Sequence, residues 1–413
     1  MPYATTIDEQ HWAESHARGD DPYGRFRFVG NAIALLVLAA SIWECWRNFV
    51  QPTDRDFLGV WGAAQLALAG KAWAAYDNGV LHAVQAASAT FVSAGAELPF
   101  PYPPAYLLLA IPFGLMSFPF GMAAWTLCTF GFYLVAARRL LPGSGWLAAA
   151  FPVAYANAAI GQNGFLTAGI FMAGLYLLAQ SPFVAGLVLG CLVVKPQLAI
   201  LLPIALIAAR QWRAVAGAAM SSIGILLLGI AVFGPGATAA WLHEAQFIMK
   251  ITSEGLMGWS KLASVYAAAR QLGISAQGAI AIHAVTALVA AAVIWRIWRS
   301  PAAKDVKIAA LSAATMLMSP YVFYYDELIL VPAFLYLARE RERPGVLLAL
   351  WCVPLLLMVQ IGFGQFANLN PLVPIALMAL AYRRWNAAKP VAECGNLTFE
   401  QPSAVRLSQR VQR

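Results

Sequence analysis

Apolar runs of membrane length, or close to it, follow one another along almost the whole chain. Arginine and lysine clusters interrupt them: Arg138-Arg139, Arg210 with Arg213, Arg296/Arg299/Lys304/Lys307, Arg339/Arg341/Arg343 and Arg383-Arg384. This pattern constrains the fold more than any other feature. The residues are 61% hydrophobic and 11% charged, against about 25% charged in a soluble domain. Such a chain belongs in a bilayer, where runs of this length read as helices. The net charge of +8 then speaks for orientation and lipid contact, not for nucleic-acid binding. The five cysteines form no CxxC pair and no disulfide framework.

The positive-inside rule places the basic clusters in the cytoplasm, together with Arg18, Arg25 and Arg27. About twelve transmembrane helices follow, near 28–50, 121–137, 146–160, 165–179, 184–194, 198–209, 215–233, 279–295, 308–319, 328–338, 346–361 and 372–382. Residues 103–118 are also apolar, but Pro103, Pro104 and Pro112 break the run, so it is expected to be re-entrant or interfacial. The expected organisation is a cytoplasmic segment 1–27, one transmembrane domain 28–385, and a cytoplasmic, disordered tail 386–413. The domain carries an outer segment 51–102 and an outer loop 234–275. The outer segment should hold two juxtamembrane helices, one around Ala63–Ala69 closed by Gly70, the other over 80–94.

This sorting places the polar motifs inside the apolar chain on the outer side. Asp54-Arg55-Asp56 lies just past the first apolar run, where two carboxylates and a guanidinium are costly; each acid is either a helix cap or part of a site. Lys195, next to Pro196 and Gln197, interrupts an apolar run. It is either a phosphate ligand at a helix break or a lysine reaching the interface. Gly161-Gln162-Asn163 can meet sugar hydroxyls or make an ordinary turn. Asp326 and Glu327, after Tyr324-Tyr325, can contact an acceptor or cap a span. His243, Glu244, Lys250, Glu254, Trp259 and Lys261 give the outer loop hydrogen-bonding and stacking groups. The His, Asp and Glu residues are not at ligand spacing for a metal, so no metal site is expected.

The constellation resembles glycosyltransferase family 87 of the GT-C superfamily, which includes polyprenol-phosphate-mannose-dependent α-1,2-mannosyltransferases. The resemblance rests on Asp56-Phe57 with Trp61, Ala63-Ala64, Gly70 and Tyr76-Asp77. It continues through Phe100-Pro101-Tyr102-Pro103-Pro104 with Leu107-Leu108, then Gly161-Gln162-Asn163, Gly186, Lys195-Pro196, and Arg210 with Trp212-Arg213. These motifs run in order over roughly residues 50–215; beyond them the chain agrees only in hydropathy. The family's usual proline before its Tyr-Asp pair is absent, since this chain has Ala74-Ala75 there.

The resemblance implies a GT-C-type bundle in the bacterial cytoplasmic membrane, its site facing the periplasm. It implies a polyprenyl-phosphate sugar as donor, mannose by family default, a lipid or glycan acceptor, and a catalytic aspartate that falls at Asp56. No cofactor is called for, because the donor brings its own leaving group. Chemistry supplies the remaining roles. A carboxylate takes the acceptor's proton as the bond forms, and a cation steadies the leaving phosphate. Lys195 is the first candidate for that cation, with Lys261 and His243 behind it. Asp54, Arg55, Tyr102, Gln162, Asn163, Gln197 and Asp326 are candidates for substrate contacts. One displacement inverts the anomeric centre. The main rival is a multi-span transporter or flippase, which a lysine beside a helix break would suit; against it, the polar motifs neither repeat nor fall on both sides. A GT-C enzyme of another class and a non-catalytic assembly or polymer-export subunit are further alternatives.

Overall fold

The computed structural model describes residues 55–88, 98–340, 342–363 and 368–388, with scattered helical positions between 31 and 50. The N-terminal segment 1–27, Asp54 and the tail from 389 lie outside the described residues, as does much of the first expected span. Within the described residues the fold is helical. The β-type pairing there is an isolated bridge between Leu262 and Phe323.

The first outer segment forms a compact body. Helix α1 (Phe57–Leu68) is rich in alanine and glycine and is buried along most of its length. It ends at Gly70, whose φ of 73° is left-handed. There Gly70 N–H donates to Ala67 O and Lys71 N–H to Leu66 O, the paired bonds of a Schellman cap. A 3-10 turn (Ala72–Tyr76) and α2 (Asn78–Ser88) follow. Next, α3 (Tyr106–Gly114) lies against α1: Trp61 Nε1 donates to Met116 O at 2.9 Å, and Gln65 bonds to Gly114 O. At nine residues with Pro112 inside it, α3 is far shorter than the roughly 20 residues of a span. The expected cap at Gly70 is therefore present, as are helices in both expected places; the described part of the second runs from 78 to 88.

Helix α4 (Phe118–Leu140) runs to Arg138-Arg139 in its last turn. The second body begins with α5 (Gly145–Ala150), α6 (Pro152–Ile160), α7 (Gly164–Leu177) and α8 (Pro182–Gly190). Two 3-10 turns, Cys191–Val194 and Pro196–Leu198, lead into α9 (Leu201–Ala208). Then come α10 (Trp212–Ser253), α11 (Val265–Gln271), α12 (Ala276–Arg299) and α13 (Lys304–Thr315). A 3-10 stretch (Tyr324–Leu330) opens α14 (Val331–Arg339), and α15 (Pro344–Phe363) and α16 (Leu372–Ala387) complete the bundle.

Among the described residues three helices are long and apolar enough to cross a membrane: α4, α10 and α12. Other expected spans are assembled from shorter pieces. The run 146–160 is split at Phe151-Pro152, because proline removes a donor and unsettles the turn before it. The expected break between 184–194 and 198–209 falls at Lys195-Pro196, and 3-10 turns on either side of Lys195 shorten both helices. The most apolar stretches of α10 and α12 are only 11% and 22% buried within the protein. Their outward Ile223, Leu227, Val285 and Leu288 make the chain an integral membrane protein, since lipid can cover such faces and water cannot. Where α8 meets α10, small residues bring the backbones together. A side chain at Gly186 would strike the backbone of Ala214, and one at Gly217 would strike Phe183 O. That is how helices associate where lipid removes the hydrophobic driving force.

Helix α10 departs from expectation in its second half. It kinks at Gly234 (φ 80°), before Pro235, and continues as helix to Ser253. Together with α11, this makes well over half of the stretch 234–275 helical. The second half of α10 packs on the first body: Trp241 Nε1 donates to Pro101 O at 3.1 Å, and Asn78 Nδ2 to Glu244 Oε1 at 3.1 Å.

Candidate active site

The two bodies meet at the helix ends and breaks that carry polar residues. Asp56 stands at the N-terminus of α1 but does not cap it; its side chain makes no capping bond. Its Oδ2 instead accepts a hydrogen bond from Gln162 Nε2 at 2.9 Å, and Gln162 Oε1 accepts from the Tyr102 hydroxyl at 3.2 Å. Asp56 is half-buried, which sets it in a crevice. Burial pushes its carboxyl above the usual carboxylate range, while the Gln162 bond and the charges of Lys261, Arg55 and Lys195 pull it back down. Burial also raises the Tyr102 hydroxyl, which stays a donor.

Gln162 reaches Asp56 because of the glycine before it. Gly161 ends α6 with φ 69°, and Gln162 N–H donates back to Asn157 O at 3.1 Å. A Cβ at Gly161 would lie 2.6 Å from Phe57 Cβ. The loop therefore touches the chain one residue past Asp56, and only glycine permits both the contact and the left-handed backbone. On its other side the loop is pinned by Asn157 Oδ1, which accepts from Gly164 N–H at 2.8 Å. Gly161→Ala should lower the melting temperature by several degrees, from a backbone penalty of about 1–2 kcal/mol plus the clash. It should also separate Gln162 from Asp56 and reduce activity at temperatures where the protein stays folded. Unchanged melting and activity would show that the contact is slack.

The second half of the cluster centres on Lys195, held between the two 3-10 turns that break the run after α8. Its Nζ lies 2.5 Å from Asp326 Oδ1 and 3.1 Å from Asn163 Oδ1, and stands 4.5 Å from the centre of the Tyr325 ring. Asp326 Oδ2 accepts from Phe323 N–H at 3.1 Å, so this acid both pairs with the lysine and caps its own 3-10 stretch. Lys195 is 3% exposed and paired with Asp326, so it does not reach toward the interface as a solvated lysine would. Glu327, next door, is fully buried, and neither carboxyl oxygen has a hydrogen-bond partner among the described residues.

Lys261 is exposed on a 3-10 turn (Trp259–Lys261), and its charge acts on Asp56. The turn is anchored from three directions. Ala263 N–H donates to Val322 O at 2.9 Å, Asn368 Nδ2 donates to Leu262 O at 2.6 Å, and Arg270 lies 5.2 Å from the Trp259 ring. Of the remaining expected residues, Arg55 directs its charge at the Asp56 carboxylate. Gln197 is half-buried in the turn after Pro196. His243 sits exposed on α10 past its kink, and none of the contacts that build the cluster involves it. Its expected place in an open loop is corrected by the continuation of the helix. Two cluster residues, Tyr106 and Asn157, were not expected from sequence, nor was the place of Tyr325 against Lys195. Tyr106 stacks on Tyr102 with ring centroids 4.3 Å apart, Tyr325 lies beneath Lys195, and Asn157 anchors the loop. Asn157 is the lone amide in α6, a signal that could have been read.

A model of glycosyltransferase family 87 matches residues 100–320. The chain belongs to glycosyltransferase family 87. No curated protein and no solved structure matches it. Membership makes it a membrane glycosyltransferase, with a sugar donor and an acceptor to accommodate. The matched stretch of this family 87 enzyme holds Tyr102, Gln162, Asn163, Lys195 and Lys261. Asp56 and Asp326 lie outside it, and hydrogen bonds from Gln162 and Lys195 tie both to it.

Proposed function

We propose that this enzyme moves a hexose, mannose by family default, from a polyprenyl-phosphate donor to a hydroxyl of a lipid or glycan acceptor. The reaction takes place on the outer face of the bacterial cytoplasmic membrane, in a GT-C-type bundle of about twelve transmembrane helices. The observation that carries the reading is the crevice at Asp56: a carboxylate fixed through one oxygen by Gln162, in the field of Lys261 and Arg55. As the acceptor oxygen bonds to the anomeric carbon, its proton passes to Asp56 and the bond from that carbon to the phosphate oxygen breaks. The charge that develops on the leaving polyprenyl phosphate meets Lys261, which takes the phosphate role because Lys195 is already paired. Tyr102, stacked on Tyr106, holds Gln162 Oε1 through its hydroxyl and so orients the amide that fixes Asp56. A single displacement inverts, so a β-linked donor gives an α-linked product.

The test is transfer by the purified protein in proteoliposomes from a polyprenyl-phosphate hexose, with the product's linkage read by NMR. Uptake of the sugar without a covalent product would favour the transporter reading. Transfer from a nucleotide sugar alone would overturn the donor class. Lys261→Ala should lower kcat/KM by about ten- to a hundredfold; an unchanged value would remove Lys261 from the phosphate.

A further inference from the structure

At the opposite end of the bundle, residues from three helices converge outside the candidate active site. The Tyr176 hydroxyl, near the end of α7, faces the side chains of Gln180 and Arg139. Arg139 stands in the last turn of α4. Lys304, the first residue of α13, places its Nζ 6.0 Å from the centre of the Tyr176 ring. Arg139 and Lys304 are both exposed, and neither has an acid partner among the described residues. Asp305, the acid beside Lys304, is bound to Arg339. The lysine is presented from a fixed turn: Trp298 Nε1 donates to Lys307 O at 3.1 Å, and Trp385 Nε1 to Ser300 Oγ at 2.9 Å.

We propose that Arg139, Tyr176, Gln180 and Lys304 form a binding site for the headgroup of an anionic phospholipid. Two cations and two neutral hydrogen-bonding groups suit a phosphodiester. Their level suits it too, because α4 and α12 both end here in arginine-bearing last turns, at the depth where headgroups lie. The apolar surface beside them separates a lipid from a free phosphate. Phe132 and Val135 are exposed on α4, and with Arg139 they fall at i, i+3 and i+7, on one face of the helix. An acyl chain can run along them beneath its own headgroup; a free phosphate has no use for them.

The test is lipid retention by the full chain, purified in detergent and read by native mass spectrometry. The probes are phosphatidylglycerol and phosphatidylcholine with the same acyl chains. The wild-type protein should retain phosphatidylglycerol over phosphatidylcholine by about tenfold, and Arg139→Ala/Lys304→Ala should lose that preference. Arg139→Lys/Lys304→Arg should keep most of it. Equal retention of the two lipids by the wild type, or an undiminished preference in the double alanine variant, would overturn the site. Displacement of phosphatidylglycerol by millimolar inorganic phosphate would overturn the lipid as its occupant. Should the double variant fail to fold, Tyr176→Phe and Lys304→Gln serve in its place. Each should lower the preference severalfold, and no change in either would overturn the proposal.

Discussion

In a transfer assay with a polyprenyl-phosphate hexose, Asp56→Asn will run about a hundred- to ten-thousandfold slower than the wild type while still binding the donor. Asparagine keeps the shape of the side chain, and its carbonyl can still accept from Gln162, so the crevice survives. What is lost is the capacity to take a proton. A wild-type rate in this variant would sink the assignment of Asp56 as base. The same group sets the pH dependence. Only the ionised carboxylate is active, so kcat/KM must rise with pH through its titration. Because burial raises the Asp56 carboxyl, the acid limb should lie above the pH where an ordinary carboxylate titrates, and no limb assignable to Asp56 should remain in Asp56→Asn.

The second large effect is on stability. Lys195→Met will destabilise the protein by about 3–5 kcal/mol, since it leaves a buried carboxylate without its cation. The side chains of the pair are 4% and 0% exposed, so solvent cannot compensate. Lys195→Met/Asp326→Asn should recover most of the loss, because asparagine removes the charge and retains an acceptor for Phe323 N–H. Thermal and denaturant unfolding in detergent measure both. Kinetics separate the roles: with Lys195 as a positioning residue, the double variant should show a donor KM within about threefold of the wild type. If stability returns while donor KM stays high, Lys195 touches the phosphate after all.

Much of this site was legible because charge in an apolar chain is conspicuous. Asp56, Lys195 and Asp326 each interrupt or border apolar sequence, and Gly161-Gln162-Asn163 marks a break between two runs. What sequence does not encode is who meets whom. Nothing periodic links Lys195 to Asp326, 131 positions away, so the lysine read as a phosphate ligand or an interface lysine and not as half of an ion pair. Tyr106 was hidden behind Pro103-Pro104, and its stacking on Tyr102 is a product of that bent loop. The helix across 234–253 was missed because Gly234-Pro235 signals a stop, whereas the chain only kinks there. The membrane character and helical class followed from composition alone. The span boundaries did not, since prolines cut several apolar runs into pieces that hydropathy reads as continuous.

The Lys195–Asp326 pair also has a history within each molecule. The chain is made from its N-terminus, so the lysine enters the membrane region before its partner has been synthesised. At typical translation speeds the separation of 131 residues corresponds to a delay on the order of ten seconds. Throughout that interval the segment around Lys195 carries an uncompensated charge and has reason to wait near the headgroups. Its final seating depends on the arrival of Tyr324–Leu330. Assembly of the candidate site is therefore one of the last events in biogenesis, and a ribosome that stops short of Asp326 leaves behind a bundle with Lys195 still unseated.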